Sequence, residues 1–182
     1  VSARGVPVFN APGANANAVK ELVLAGMLMA ARNLPGALRF VSALDAKDAE
    51  MDARVEDGKK AYAGIELAGH TLGIVGLGAI GSMVADMALA MGMKVVGFDP
   101  ALSIDAAWRL SNAVTRMENL STLMARSDYV SLHVPALDAT RHMINEDALA
   151  SIKKDAVLLN FARETIVDPA AVLRSLDQDK LG

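Results

Sequence analysis

The 182-residue chain has no cysteine. This excludes disulfide staples, thiolate–zinc centres and a cysteine nucleophile, and it fits a reducing, cytoplasmic compartment. Basic residues are not in excess either. The formal net charge is −3 and the pI about 5.6, so the chain carries no electrostatic footprint for nucleic acid or an anionic membrane. Apolar runs are broken by charges or glycines well short of a membrane span, and no basic-then-apolar leader opens the sequence. What is present is a composition 53% hydrophobic and 21% charged, ample for one globular domain and marginal for two. The first residues, "VSARGVPVFN", lack a methionine and the last, "DQDKLG", form no polar tail. We therefore expect a piece of a longer chain.

The stretch "TLGIVGLGAIGSMVADMALAMGMKVVGFDP", residues 71 to 100, places Gly76, Gly78 and Gly81 where an apolar run turns into a helix. Glycine weakens ordinary helix starts, so the bare backbone must serve a close approach. The pattern G-x-G-x-x-G is weak alone. Here it follows a strand pattern, opens a helical one, and is followed by Asp99 at the end of the next strand. Gly76 permits the tight turn, Gly78 admits a pyrophosphate, and Gly81 lets helix and strand pack closely. Amides near Ala79 and Ile80 then face the phosphates at the positive helix end. Asp99 suits the adenosine ribose diol; the alternative is a plain Asp-Pro turn with Pro100. NAD is expected rather than NADP, because Asp99 would repel a 2′-phosphate and no arginine lies in "FDPALSID".

The rest of the chain supports this setting. Strands are expected at 71–75, 94–98, about 113–115, 129–134 and 156–161, with helices at 79–91, 117–126, 146–152 and 169–177 between them. Asn145 before Glu146 and Asp147, and Asp168 before Pro169, are helix-start signals. Alternation of this length predicts a doubly wound α/β fold, a Rossmann-like parallel sheet in the order 3-2-1-4-5, cut off before its last strands. Met83, Met87 and Met91 form a stripe that we assign to core packing. Upstream, residues 15–36 read as a helix capped by Asn15 or Asn17 and ended by Pro35-Gly36. The charged run "DAKDAEMDARVEDGKK" reads as a solvated helix face or as an arm packed on another subunit. The expected organisation is a remnant of a separate domain and crossover over 1–14, a linking helix and dimer arm over 15–69, and the nucleotide-binding domain over 70–182. A homodimer through residues 17 to about 65 would bury the apolar positions of that arm.

The segment "SDYVSLHVPALDATRHMINEDALASIKKDAVLLNFARETIVD" carries a second, longer signal. With the glycine loop it resembles the D-isomer-specific 2-hydroxyacid dehydrogenases over nearly the whole chain, and the opening "VFNAPGANANAVKELV" looks closest to their short bacterial phosphoglycerate dehydrogenase branch. That resemblance implies an NAD-dependent oxidoreductase acting on a small hydroxy acid. It implies that Val134 and Pro135 line the adenine-side cleft and that Phe161, Ala162 and Arg163 reach the nicotinamide end. Arg163 matches the arginine of the motif N-x-A-R-G-x-x-V-D, which clamps the substrate carboxylate and keto oxygen, a task suited to a planar fork of donors. Position 164 departs from the motif, with Glu for Gly. Pairing of Arg163 with Glu164 or Asp168 at a strand exit is the structural alternative. The resemblance also covers rivals: hydroxypyruvate, glyoxylate and D-lactate enzymes, and a non-enzymatic, NAD-sensing corepressor branch. His133 reads as a hydrogen-bonded core residue, and no His or carboxylate spacing suggests a metal site. None of His70, His133 and His142 matches the family's catalytic histidine, which, with its glutamate, would lie beyond Gly182.

Overall fold

A computed structural model describes residues 4–7, 9, 11, 13–45 and 47–182. The expected remnant over 1–14 therefore falls partly outside the described residues. Five strands, β1 (Thr71–Val75), β2 (Lys94–Phe98), β3 (Val114–Arg116), β4 (Tyr129–Leu132) and β5 (Val157–Asn160), form a parallel sheet in the order β3-β2-β1-β4-β5. Tyr129, Val130, Ser131 and Leu132 are all buried, as a strand covered on both faces requires. Register pairs Val75 with both Phe98 and Leu132. The carboxyl ends of three strands thus finish level, and the residues that follow them share one edge.

Helices cover both faces. On one side α1 (Ala16–Ala31) and α4 (Ala79–Ala90) bury Val23, Met27, Val84, Ala85 and Ala88 against Leu72 and Ile74 of β1. On the other, α6 (Leu120–Arg126), α7 (Glu146–Ala150) and α8 (Pro169–Asp177) enclose Val75, Leu123, Met124, Val130, Leu132, Leu149 and Ala171. Alternate β1 residues feed the two cores, following the period of two along a strand. Gly73 lets α6 approach β1: a Cβ there would overlap the Ser127 hydroxyl. α2 (Leu34–Ser42), α3 (Met51–Gly58) and α5 (Ile104–Ala107) complete the set.

Start signals hold where a side chain reaches an orphan amide. Asn145 accepts from the Ala148 N–H at 3.0 Å and Asp168 from that of Ala170 at 2.9 Å, satisfying donors the helix itself leaves unpaired. Asn119 does the same for Thr122 at 2.9 Å, so α6 starts at Leu120 and not at 117. The first helix corrects two expectations. Asn15 stands at the cap position without a side-chain cap bond, and the Asn17 amide donates to Glu21 instead. Nor do Pro35 and Gly36 end the helix. Asn33, at φ 44°, turns the chain and caps α2, whose first turn holds Pro35, the place where a missing N–H costs nothing. The methionine stripe is corrected in part: Met87 packs against the core as expected, but the stripe is not the buried face of the helix. Gly81, Val84, Ala85 and Ala88 form the buried face of α4, whereas Met83 and Met87 are half-buried and Met91 is exposed. The small residues win the sheet-facing stripe because α4 lies close to β1.

Candidate nucleotide-binding site

The glycine loop leaves β1 at the level edge. Gly76 has φ 92°, a left-handed conformation that favours glycine. A Cβ there would also stand 2.7 Å from the His133 carbonyl oxygen and 2.9 Å from Val134 Cγ1. Its N–H donates to the Phe98 carbonyl at 2.9 Å, so the turn is wedged between the ends of β2 and β4. Gly81 cannot carry a Cβ without overlapping the Gly76 carbonyl oxygen. Gly78 differs. A Cβ at Gly78 meets nothing within 4 Å, so the fold does not need a glycine there, and the open space lies at the start of α4. No side chain caps that helix. Its first-turn amides at Ala79 and Ile80 face a place suited to an anion. A Cβ added at Gly13, ahead of α1, would stand 3.6 Å from Ala79 Cβ.

Asp99 follows β2. Its Oδ2 accepts the Leu77 N–H at 2.8 Å and its Oδ1 the Ala101 N–H at 2.9 Å. The carboxylate is thereby tied to the glycine loop and held at the crevice, with acceptor capacity left on each oxygen. The pair Leu77–Asp99 was not marked in the sequence. Only the contact between two loops reveals it. Val134 and Pro135 leave β4 on the opposite side of Gly76. His133 lies just past the end of β4, with Nε2 2.8 Å from the Ser131 hydroxyl. Burial pushes the His133 imidazole from its usual 6.5 down to about 4, so the ring is neutral at neutral pH.

Phe161, Ala162 and Arg163 leave β5, two strands from the glycine loop on the same edge. The Phe161 ring packs beside Gly26 of α1. Asn160 shapes the turn: its Oδ1 accepts the Ala162 N–H at 3.1 Å and its Nδ2 donates to the Arg163 carbonyl at 2.9 Å. Arg163 is exposed and its Nη1 donates to the Ala162 carbonyl at 2.8 Å. Among the described residues no ion pair joins it to Glu164 or Asp168, whose carboxylate caps α8. Arg116, at the end of β3, lines the same cavity as Asp99. The sequence placed it far from "FDPALSID"; the strand order brings it back.

A doubly wound parallel sheet, with a glycine turn at the switch of strand order and a carboxylate after the second strand, defines a dinucleotide-binding domain. Comparison with known proteins narrows the class. Residues 24–182 match the NAD-binding domain of the D-isomer-specific 2-hydroxyacid dehydrogenases, and the chain belongs to that family. It is 38% identical over 178 residues to D-3-phosphoglycerate dehydrogenase of Methanocaldococcus jannaschii, covering 98% of this chain and 32% of that one. It is 36% identical to hydroxypyruvate reductase of Thermotoga maritima, covering 98% and 53%. Among solved structures, the apo D-mandelate dehydrogenase of Rhodotorula graminis superposes with a TM-score of 0.82 at 32% identity, over 99% of this chain and 51% of that one. The D-lactate dehydrogenase of Aquifex aeolicus, solved with NAD and lactic acid, gives 0.78 at 32% identity, over 98% and 50%. The chain thus spans about a third to a half of these relatives, and its cofactor is NAD.

Proposed function

We propose that this chain is the NAD-binding part of an enzyme that moves hydride between NAD and a D-2-hydroxy acid, with 3-phospho-D-glycerate, oxidised to 3-phosphohydroxypyruvate for serine synthesis, as the substrate. The observation that carries the reaction class is the Asn160-braced turn, which presents Arg163 on the same sheet edge as the glycine loop. The phosphoglycerate choice rests on relatives so named at 34–39% identity. The similar hydroxypyruvate reductase keeps it a proposal.

In this reading Gly76, Gly78, Ala79, Ile80 and Gly81 hold the pyrophosphate and Asp99 the adenosine ribose. Val134 and Pro135 wall the cleft, and Phe161 and Ala162 border the nicotinamide end. NAD supplies the hydride acceptor. Arg163 swings from the Ala162 carbonyl to fork the substrate carboxylate and keto oxygen, a bidentate contact that a lysine could not reproduce. The hydroxyl proton needs a base, which we place on a histidine outside these 182 residues. We further propose the division at about residues 14 and 69, a homodimer through residues 17 to 65, and a cytoplasmic location. No helix among the described residues is long and apolar enough to cross a membrane. The test is an NAD-reduction screen of D-3-phosphoglycerate, D-lactate, glycolate and D-glycerate with this domain joined to its substrate domain. A preference for D-3-phosphoglycerate supports the assignment, and a preference for another acid replaces it.

A further inference from the structure

Gly26 stands inside α1, where glycine weakens a helix more than any residue except proline. Val23 and Met27, on the same side of the helix, are fully buried against the sheet. What faces Gly26 explains the bare backbone. A Cβ there would stand 3.2 Å from Leu159 Cδ2 and 3.3 Å from two ring atoms of Phe161, closer than ordinary carbon contacts. Leu159, 8% exposed, belongs to the core beneath α1 and has no room to step aside. The Phe161 ring is 36% exposed and is the partner free to move. α1 therefore bears directly on the residue that follows β5.

Phe161 does not move alone. The Asn160 side chain takes the Ala162 N–H at 3.1 Å and donates to the Arg163 carbonyl at 2.9 Å, which closes residues 160–163 into one small turn. Arg163 lies at the far end of that turn. We propose that Gly26 and Phe161 are positioning residues for the reaction: the ring, wedged against the bare backbone of α1, sets where the turn holds Arg163 and so how the substrate carboxylate is gripped. The inference rests on Arg163 as the clamp. A misplacement of about 1 Å can cost about 10²-fold, so a shift of a few tenths of an ångström is worth about three- to tenfold.

The test uses this domain joined to its substrate domain and saturated with NADH. Calorimetry follows the binding of oxamate, whose carboxylate and adjoining carbonyl oxygen copy a 2-keto acid. Gly26→Ala should weaken oxamate by about three- to tenfold, while ADP-ribose, which lacks the nicotinamide, binds the NADH-free protein as before. The melting temperature should hold or rise, since alanine favours the helix. Phe161→Leu removes the ring, and in that background Gly26→Ala should cost oxamate nothing further, a coupling that independent packing roles would not produce. Arg163→Lys is the control and should weaken oxamate by about tenfold or more. Oxamate affinity unchanged in Gly26→Ala, a loss equally large with and without the ring, or a parallel loss of ADP-ribose affinity would overturn the proposal and leave the clamp in place. Oxamate affinity unchanged in Arg163→Lys, or no oxamate binding by the parent, would remove the clamp itself, and this proposal with it.

Discussion

Three glycines in one motif do different work, and substitution should separate them. At Gly78 an added Cβ meets no atom of the protein. Alanine there loses a cap preference of under about 1 kcal/mol but stiffens the unfolded chain by a similar amount. The melting temperature of Gly78→Ala should stay within about 3 °C of the parent, while NAD affinity falls by about tenfold or more as the methyl enters the pyrophosphate space. Gly81→Ala should do the reverse in order of severity. Its methyl overlaps the Gly76 carbonyl, a backbone atom that cannot step aside, and overpacking of this kind costs about 1–3 kcal/mol. Scanning calorimetry and an NAD titration of both variants check the pair. Equal melting losses in the two would contradict the assignment of Gly78 to the ligand. The glycines were legible in sequence because their spacing is local. The Leu77–Asp99 bond and the approach of Arg116 were not, since each depends on strand order.

Elements were read best where hydrophobic period and cap chemistry agreed. β1 and β2 fall on the expected residues, as does α8 behind Asp168. The misses lie where tertiary contact decides: α5 is a single turn, and α1 ends at Ala31, just before the left-handed Asn33 that starts α2, instead of at the Pro-Gly pair. Strand ends also carry the titrating groups. Burial alone would raise the Asp128 carboxyl. Hydrogen bonds from Lys153 and the Thr71 N–H, with the charges of Lys153 and His70, outweigh it and hold the group below its usual range. A depressed carboxyl contributes stability above its unfolded value and loses it as pH falls through the folded one. His133 acts in another window. Its folded form titrates near 4 against 6.5 unfolded, so the unfolded chain takes up the proton first and stability falls as pH drops from about 6.5 to 4. Melting curves should show His133→Gln flattening the loss between pH 6.5 and 4. In Asp128→Asn the parent's advantage should persist at neutral pH and shrink only below about pH 4. Identical pH profiles for parent and His133→Gln would show that this imidazole does not stay neutral.

At the scale of the molecule, apolar surface gathers outside the sheet. Leu22, Leu38 and Val41 are exposed by 54%, 68% and 59% along α1 and α2, more than scattered single residues require. Light scattering at micromolar concentration should return a dimer mass, and Leu38→Asp should shift it to the monomer. A monomer mass for the parent would remove residues 17–65 from the interface. The chain by itself should bind NAD yet reduce none of it with D-3-phosphoglycerate, because a base and substrate positioning are both needed for turnover. Arg163-dependent NADH production by the 182 residues would show those parts dispensable. The most direct measurement is a calorimetric comparison of NAD and NADP on the parent and on Asp99→Ala. NAD should bind the parent more tightly than NADP, and Asp99→Ala should weaken NAD and narrow the gap, with Arg116 left to favour the 2′-phosphate. NADP bound by the parent at least as tightly as NAD, or a preference untouched by Asp99→Ala, would contradict the placing of the ribose at Asp99.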